Sequence, residues 1–454
     1  MERILNGKTT LVVLDDDPTG IQTVHSNLLL TRWNHNTLTK ALEDKIPFFY
    51  LLTNTRSLSA QAASGLIRTV VEAVLVANQN LGRRLIFISR SDSTLRSHFP
   101  LEIDQITSVL EKCSGISIDA SFMVPAFFEG GRQTIENVHF LLVGNDLIPT
   151  DQTEFARDHV FGYSTSRLPD YIHEKTDGRV DAESVRSVSL EMLRQWHPPR
   201  LSAWLGDLVD NQWVVVNAEN YTDLDRFCVA VRSMLDEGKQ FVFQSAASLV
   251  KSLTRTPTKA LLGSEILRRP GPGLVVVGSY VHKTTEQLWK LLSRRYTAGV
   301  ELDVGRILDS PELQFDRVLA DVKAAVKEDL TPVVYTNRQE ITFPTSLERL
   351  TAGQKISAFL SRVVKQSPFR PSFVVAKGGI TSHDVLVDGL EIAAARVGGQ
   401  ILPGVPVIFL PKDHPWGTIP YVIFPGNVGE PEDLAAALDK LELSTLHRAK
   451  KGGK

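Results

Sequence analysis

Cysteine is scarce in this sequence, with Cys113 and Cys228 the only two among 454 residues. Two cysteines are too few for a disulfide framework, a cysteine-rich zinc site or an iron–sulfur cluster. The eleven histidines are scattered and contain neither H-x-x-x-H nor H-E-x-x-H spacing. We therefore expect a protein of a reducing compartment, and the cysteines and histidines form no metal-binding pattern.

Long apolar runs and an excess of one charge are also lacking. No stretch approaches the roughly 18 uninterrupted apolar residues of a transmembrane helix, and the N-terminus lacks the apolar core of a secretory signal. The 50 Lys+Arg nearly balance the 52 Asp+Glu, so no global field attracts nucleic acid or an anionic membrane. We expect a cytoplasmic protein with neither as partner. The oligomeric state stays open, a homo-oligomer being one alternative.

Apolar sequence is sufficient for full cores, at 43% hydrophobic and 22% charged residues. Short apolar runs alternate with helix-length segments, which predicts parallel strands joined by crossover helices. A first series of runs covers 10–14, 48–52, 85–89, 122–125 and 213–217, and a second covers 273–278, 331–335, 372–376 and 405–409. Helical apolar spacing falls on 310–330, 346–366 and 384–396.

The Pro/Gly-rich segment 268–273 separates the two series. We predict an α/β protein of two domains, each a mainly parallel sheet flanked by helices, with the active site in the interdomain cleft. The predicted boundaries are 1–245 for the first domain, 246–272 for a linker, 273–446 for the second domain and 447–454 for a disordered basic tail.

Three consecutive acids follow the first predicted strand: Asp15, Asp16 and Asp17, continued by Pro18, Thr19 and Gly20. Ligands of open α/β sheets bind at the carboxyl ends of the strands. Adjacent carboxylates raise one another's pKa unless cations or hydrogen bonds compensate. The cluster therefore suits a general base, a metal ligand or a hydroxyl-binding group.

Arginines occur at the ends of several other predicted strands. The segment Arg90–Arg96 offers two guanidinium groups, one carboxylate and three hydroxyls. Such a set matches a small polyhydroxy acid, because arginine binds carboxylates bidentately and Asp or Ser binds hydroxyls. The candidate substrate-binding residues are Arg56, Arg90, Asp92, Ser93, Arg96 and Arg132.

Glycine-containing turns end the strands of the second series. Paired glycines allow backbone N–H groups to face an anion, and a following helix N-terminus adds favourable potential. Neither the P-loop pattern nor the dinucleotide G-x-G-x-x-G occurs in these turns. The candidate nucleotide-binding residues are Ser279, Gly378, Gly379, Ile380, Thr381, Gly404, Gly426, Asn427 and Gly429.

These motifs, in this order, resemble the four-carbon acid sugar kinases, which include threonate, erythronate and 3-oxo-tetronate kinases. The resemblance spans nearly the whole chain. In the first domain it is carried by Asp16–Gly20, Arg90–Arg96, Pro125–Phe127 with Gly131-Arg132, and Thr153–Asp158. In the second domain it falls on Ser279, Gly378–Thr381, Gly404 and Gly426–Gly429. The chain departs from the family pattern at Asp15, at Ser97-His98 and at Pro425.

The resemblance implies an ATP- and Mg²⁺-dependent kinase that phosphorylates the terminal hydroxyl of a four-carbon acid sugar. The N-terminal domain would bind the sugar acid and the C-terminal domain the nucleotide. Asp16 or Asp17 would be the base or a hydroxyl ligand, and Arg90, Arg96 and Arg56 would hold the substrate carboxylate. The phosphates would lie against Gly378, Gly379 and Thr381, and no residue is assigned to Mg²⁺.

Two other functions stay open. Asp15-x-Asp17-x-Thr19 also satisfies the D-x-D-x-T nucleophile motif of haloacid-dehalogenase-like phosphatases, although the later Gly-Asp-x-x-x-Asp metal motif of that superfamily is missing from the sequence. A non-catalytic sugar-acid sensor would need the same substrate residues. The nucleotide-type turns favour the kinase.

Overall fold

The computed structural model describes residues 8–279, 281–338, 345–426 and 428–451. The chain divides into two compact units, Met1–Thr258 and Lys259–Lys454. The division falls inside the predicted linker 246–272, most of which is ordered structure belonging to one unit or the other. Helix Ala247–Thr254 is buried along most of its length in the first unit, whereas Leu262, Ile266 and Leu267 belong to the core of the second.

The first unit is built on a parallel sheet. Its strands, in chain order, are β1 (Thr9–Asp15), β2 (Leu28–Leu30), β3 (Phe48–Leu52), β4 (Arg84–Arg90), β5 (Ala120–Val124), β6 (Arg132–Ile135), β7 (Val138–Val143), β8 (Asp146–Pro149), β9 (Arg186–Val188), β10 (Gln212–Val216) and β11 (Phe241–Ser245). Eight of them lie in the order β2-β3-β1-β4-β11-β5-β10-β9, all parallel. Strands β6, β7 and β8 form a separate antiparallel sheet that follows β5.

Helices flank this sheet: α1 (His35–Leu42), α2 (Ala60–Asn78), α3 (Leu101–Ser114), α4 (Leu168–Lys175), α5 (Leu190–Gln195), α6 (Pro198–Gly206), α7 (Tyr221–Asp236) and α8 (Ala247–Thr254). Side-chain caps start several of them, as where Ser59 accepts from the backbone N–H of Ala62. By length and composition α2 could cross a membrane, but its apolar face, which includes Ile67 and Val74, is buried in the unit. This is the pattern of an amphipathic helix that packs one face against the core.

The second unit contains β12 (Leu274–Val277), β13 (Thr297–Leu302), β14 (Thr331–Thr336), β15 (Val374–Lys377), β16 (Ala394–Leu402), β17 (Val405–Phe409) and β18 (Pro420–Phe424), with α9 (His282–Leu292), α10 (Val304–Asp309), α11 (Pro311–Lys327), α12 (Ser346–Lys365), α13 (Gly379–Asp384) and α14 (Asp433–Lys451). The strand order is β13-β14-β12-β15-β18-β17-β16. The strands are parallel from β13 to β18, and β17 and β16 are antiparallel additions. The predicted α/β class with mainly parallel sheets is confirmed.

Two local predictions differ from the structure. The predicted helix at 384–396 is wrong: α13 ends at Asp384, a π-helical turn follows to Gly389, and β16 begins at Ala394. Pairing of β16 with β17 outweighs the local helical spacing. The last helix also continues to Lys451, past the predicted start of a disordered tail at 447, because Ala, Arg and Lys favour helix.

The apolar core of the second unit predicts the residue range that this unit needs in order to fold. Leu262, Ile266 and Leu267 are each at most 7% exposed and pack into its apolar core. Burying one such side chain contributes about 1.5–3 kcal/mol, and a whole domain is stable by only about 5–15 kcal/mol. We expect the fragment 259–454 to unfold cooperatively in urea, and the fragment 273–454 to be largely unfolded. Equal urea midpoints, measured by circular dichroism, would contradict this boundary.

Candidate functional site

The three consecutive aspartates lie at the carboxyl edge of the first unit's sheet. Strand β1 lies between β3 and β4, so the residues that follow each of these strands meet at one edge. Arg56 belongs to a short 3-10 turn after β3, and Arg90 is the last residue of β4. After β1 the chain forms β2 and β3 on one side of β1 and then crosses to β4 on the other side. This edge is therefore a topological switch point, the usual ligand site of such sheets.

Asp16 and Arg56 form a bidentate ion pair. Arg56 Nη2 lies 2.6 Å from Asp16 Oδ1, and Arg56 Nε lies 3.1 Å from Asp16 Oδ2. The Asp16 side chain is only 1% exposed and that of Arg56 is 22% exposed. Burial raises the pKa of Asp16, and the charge of Arg56 partly opposes this rise. The pair therefore keeps a buried carboxylate at the base of the site.

Asp15 is the deepest of the three acids. Its Oδ1 lies 3.4 Å from Arg90 Nη1, both side chains are at most 5% exposed, and burial raises the Asp15 pKa well above its usual value. The carboxylate fits only because residue 20 is glycine: a Cβ there would lie 2.0 Å from Asp15 Oδ1. Arg90, predicted to hold the substrate carboxylate, instead lies beneath the site, where it balances Asp15 and Asp16.

Asp17 is the most accessible of the three acids, with 21% of its side chain exposed. Its Oδ1 accepts hydrogen bonds from the backbone N–H of Thr19 at 2.8 Å and from the Thr19 hydroxyl at 2.5 Å. Burial acts to raise the pKa of Asp17, but Arg56 and the Thr19 hydrogen bonds outweigh it, so the pKa is lowered. Asp17 Oδ2 lies 3.9 Å from Arg56 Nη1, and the carboxylate is ionised at neutral pH.

Asp92 and Arg96 form the second half of the cluster. Arg96 Nε donates to Asp92 Oδ2 at 2.8 Å, and Arg96 Nη1 lies 3.7 Å from Asp158 Oδ2. Asp92 Oδ1 lies 3.8 Å from Arg56 Nη1, so Asp92 links the two arginines. Burial alone would raise the Asp92 pKa, but the two guanidinium groups hold it well below its usual value. The Arg96 side chain is 21% exposed, and its guanidinium carbon lies 4.7 Å from the centre of the Phe155 ring.

The loop that carries Asp92 and Arg96 is held by three side chains that are not among the predicted site residues. His139 Nε2 contacts Ser93 O at 2.8 Å, Tyr163 donates to Thr94 O at 2.8 Å, and Tyr171 donates to Leu95 O at 2.8 Å. All three follow β5 in the long excursion that contains β6–β8 and α4. Burial lowers the pKa of His139 to about 4, so its ring is neutral.

The other two predicted substrate residues are less directly placed. Ser93 is buried, and its backbone carbonyl is occupied by His139. Arg132 bends back on its own loop, donates to Gly130 O and lies over the Phe127 ring. Burial lowers the pKa of Arg132, and the charges of Asp92 and Arg96 also act on it. Arg132 is thus within electrostatic range of the cluster.

Glu102, which the sequence analysis also missed, lies beneath the cluster in the first turn of α3. It is 2% exposed, and its two oxygens accept hydrogen bonds from the hydroxyls of Thr55 at 2.5 Å and Ser89 at 2.6 Å. Thr55 precedes Arg56 and Ser89 precedes Arg90, so Glu102 joins the ends of β3 and β4. Burial, reinforced by the charge of Asp16, raises the pKa of Glu102 to about 7.

The raised pKa of Glu102 predicts a pH dependence of stability. The folded protein binds this proton more tightly than the unfolded chain, whose glutamate has a pKa of 4.5. The resulting stabilisation is fully present below that value and is lost as pH rises through about 7. Glu102→Gln resembles the protonated form. We expect the wild type to lose roughly 1–3 kcal/mol more stability than this variant between about pH 5 and about pH 7.5.

Urea midpoints at the two pH values measure the difference. Glu111→Gln, an exposed position of the same helix, is the control and should show the wild-type slope. Parallel pH profiles for the wild type and Glu102→Gln would show that Glu102 does not titrate differently in the folded protein.

In the second unit, the ends of β12, β15 and β18 converge. A Cβ on Gly278, directly after β12, would lie 2.2 Å from Thr381 Oγ1. Gly378, directly after β15, has φ +109° and approaches the Cβ of Ser279, and its N–H donates to Phe424 O at 2.9 Å. The predicted residues Ser279, Gly378, Thr381 and Gly426 are therefore brought together at one sheet edge.

Three further side chains hold these turns, and the sequence analysis identified none of them. Thr284 Oγ1 donates to Gly426 O at 3.2 Å and lies 3.3 Å from Ser279 Oγ. Arg338 Nη1 donates to Ser279 O at 2.7 Å. The fully buried Lys377 donates to Pro425 O at 2.5 Å, and burial lowers its pKa to about 7.

The remaining predicted nucleotide residues occupy varied positions. Gly379 is the first residue of α13, and Ile380 is 62% exposed. Gly404 lies in the turn between β16 and β17, where its N–H donates to Gln400 Oε1 at 2.6 Å. Gly429 has φ +88° in the turn before α14. Asn427 lies outside the described residues.

Comparison with known proteins gives two matching family models. Residues 11–253 match the model described as a sugar-binding N-terminal domain, and residues 274–434 match the model described as a nucleotide-binding C-terminal domain. The first model covers the charged cluster and the second covers the glycine turns. The first match ends at residue 253 and the second begins at residue 274. The division between the two compact units, after Thr258, falls in the gap between the matches.

A D-erythronate kinase from Heliobacterium modesticaldum is 27% identical over 314 residues, which is 66% of this chain and 64% of that protein. The chain thus spans slightly less than two thirds of this curated relative.

Two solved structures have the same fold. Haemophilus influenzae protein HI1011 has a TM-score of 0.64 at 18% identity, with 95% of this chain and 100% of that chain covered. A Salmonella typhimurium LT2 protein has a TM-score of 0.67 at 17% identity, with 94% and 98% covered.

Proposed function

The chain belongs to the four-carbon acid sugar kinase family, which joins a sugar-binding N-terminal domain to a nucleotide-binding C-terminal domain, and we propose that it uses ATP to phosphorylate the terminal hydroxyl of a four-carbon sugar acid. The observation that carries the proposal is that each matched domain contains side chains suited to its described ligand. The sugar-binding domain contains an Asp/Arg cluster suited to a hydroxy acid, and the nucleotide-binding domain contains a convergent set of glycine turns suited to phosphates. The likeness to a D-erythronate kinase supports the same substrate class.

The substrate carboxylate would bind to the two partly exposed arginines, Arg56 and Arg96. Arg56 uses Nε and Nη2 for Asp16, while its Nη1 lies 3.8 Å or more from Asp17 and Asp92, beyond hydrogen-bond distance. Arg96 uses Nε for Asp92, and its Nη1 is 3.7 Å from Asp158. Each guanidinium therefore retains N–H donors for a ligand, and the protein carboxylates fix their directions.

Asp17 would accept the proton of the attacking hydroxyl. Of the three aspartates it is the most exposed, and the Thr19 hydrogen bonds engage Oδ1 and leave Oδ2 for the substrate. Asp16 would act indirectly, because its ion pair positions Arg56. Phosphoryl transfer depends mainly on positioning and charge stabilisation, and a carboxylate that orients the hydroxyl meets that requirement.

The phosphates of ATP would lie against the turns after β12, β15 and β18. Backbone N–H groups at Gly379–Thr381, with the hydroxyls of Ser279 and Thr381, offer donors to an anion. Among the residues that the structure describes, no group of three or more His, Cys, Asp or Glu could hold a metal ion. Mg²⁺ would therefore be held mainly by the ATP phosphates, as is usual for this ion, and would neutralise part of their charge.

The phosphatase alternative would require Asp15 as nucleophile. Asp15 is fully buried beneath Gly20 and paired with Arg90, and its raised pKa favours the neutral form. This position does not favour nucleophilic attack.

Measurement of ATP consumption with D-erythronate, D-threonate, L-threonate and their 3-oxo acids tests the kinase directly. A protein that binds one of these acids but consumes no ATP would be a sensor.

The assignment of Asp17 predicts a loss of turnover on Asp17→Asn. Removal of a general base lowers kcat by roughly 10²–10⁴-fold, and we expect that range with an unchanged far-UV circular dichroism spectrum. Coupled measurement of ADP release gives the rate. Asp146→Asn, an exposed change in β8, should retain the wild-type kcat. Wild-type turnover by Asp17→Asn would remove Asp17 from the mechanism.

The close approach of Gly278 to Thr381 predicts a defect in nucleotide binding. In Gly278→Ala the new Cβ would lie 2.2 Å from Thr381 Oγ1. Because this is too close for non-bonded atoms, the Thr381 hydroxyl would have to move. Loss of the Thr381 hydroxyl as a donor, together with the shift of the turn, should weaken ATP binding by about tenfold or more. Calorimetry measures the Kd. Gly353→Ala, in α12 with open space around it, is the matched control, and equal Kd values for the two variants would refute the assignment.

A further inference from the structure

A small cavity beside the charged cluster contains polar groups that the proposed mechanism does not use. It lies where β4, β5 and β11 end, and its wall includes Ser91, Pro125, Gln244 and Ser245. Asp92 also forms part of the wall, so the cavity borders the place where the sugar acid would bind. Its interior has room for about one water-sized group.

Two buried polar atoms at this cavity have no hydrogen-bond partner among the described residues: Gln244 Oε1 and Ser245 Oγ. Gln244 is 6% exposed and Ser245 is 2% exposed, and both line the cavity. The Gln244 side chain is held in place because its Nε2 donates to Ser91 Oγ at 2.5 Å. Leaving buried polar atoms unpaired is destabilising, and a bound polar group would offset that cost.

The chemistry of the wall limits what this group can be. Gln244 Oε1 is an acceptor and the Ser245 hydroxyl both donates and accepts, so each can pair with a hydroxyl group of a ligand. An anion is disfavoured, because the Asp92 carboxylate is in the wall and its neighbouring arginines keep it ionised. The apolar side chains of Leu95 and Phe99 also line the cavity and offer nothing to a charged group.

We propose that this cavity receives a secondary hydroxyl of the sugar acid, on carbon 2 or carbon 3, and that Gln244 and Ser245 determine specificity for it. The inference rests on the proposed function, since the hydroxyl belongs to that substrate. The terminal hydroxyl is excluded because it must face the phosphoryl donor. A site that hydrogen-bonds a buried hydroxyl discriminates strongly against an analogue that lacks it, because its own polar groups are then left unpaired.

The test compares Ser245→Ala with Ser252→Ala in the full-length protein. Ser252 Oγ is equally buried and has no partner in the described part of the chain, but Ser252 lies in α8 and does not line the cavity. The probes are the four-carbon acid that the wild type phosphorylates best and its 2-deoxy and 3-deoxy forms. The readouts are KM and kcat for each probe, and the thermal unfolding temperature without ligand.

We expect Ser245→Ala to raise KM for the full substrate by about tenfold, the effect of one lost hydrogen bond. One deoxy form should be a poor substrate for the wild type, and its KM should not change on Ser245→Ala. Ser252→Ala should retain the wild-type KM. Neither substitution should lower the unfolding temperature, because each removes an unpaired buried hydroxyl.

Wild-type KM values for Ser245→Ala, with turnover intact, would overturn the inference and leave the kinase proposal standing. A lowered unfolding temperature with unchanged discrimination between the full and deoxy substrates would also overturn it, by showing a purely structural hydroxyl. If the wild type phosphorylates no four-carbon acid, the proposed function fails first, and the assignment of the cavity fails with it.

Discussion

The bidentate pair between Asp16 and Arg56 is the interaction on which the first unit's site depends. It joins the ends of β1 and β3, and the remaining guanidinium nitrogen of Arg56 is directed toward Asp17 and Asp92. Because Asp16 is buried, its charge depends on that arginine and on Arg90. The pair is thus both an electrostatic requirement of the acidic cluster and the contact that fixes the direction of the Arg56 guanidinium.

Three adjacent aspartates acquire three different environments from this arrangement. Asp15 is still part of the strand and points into the protein, where it contacts Arg90. Asp16 faces Arg56, and Asp17 has begun the turn that Thr19 stabilises. Burial acts to raise all three pKa values, yet only that of Asp17 is lowered overall. The order of the residues along the chain therefore separates an acid buried against Arg90, an acid paired with Arg56 and an accessible acid.

Much of this site was predictable because parallel strands bring their carboxyl ends together whatever the sequence distance between them. That rule predicts that Asp16, Arg56, Asp92 and Arg96, which follow three different strands, lie at one edge of the sheet. It could not identify Glu102, whose partner Thr55 lies 47 residues away, because a glutamate in the first turn of a helix has an ordinary capping explanation. Nor could it assign His139 or Tyr171, whose partners depend on the path of the excursion after β5.

The same reasoning explains why the nucleotide-type turns carry no contiguous motif. In a P-loop, one segment supplies all the phosphate donors, so a single pattern identifies it. Here Gly278, Gly378 and Gly426 come from three strands, and the close approach needs glycine most clearly at Gly278, where a Cβ would lie 2.2 Å from Thr381 Oγ1. Each turn alone is an ordinary glycine turn. The three turns meet only because the sheet orders β12, β15 and β18 side by side, so the signal in the sequence is the position of the glycines after strands and not their spacing from one another.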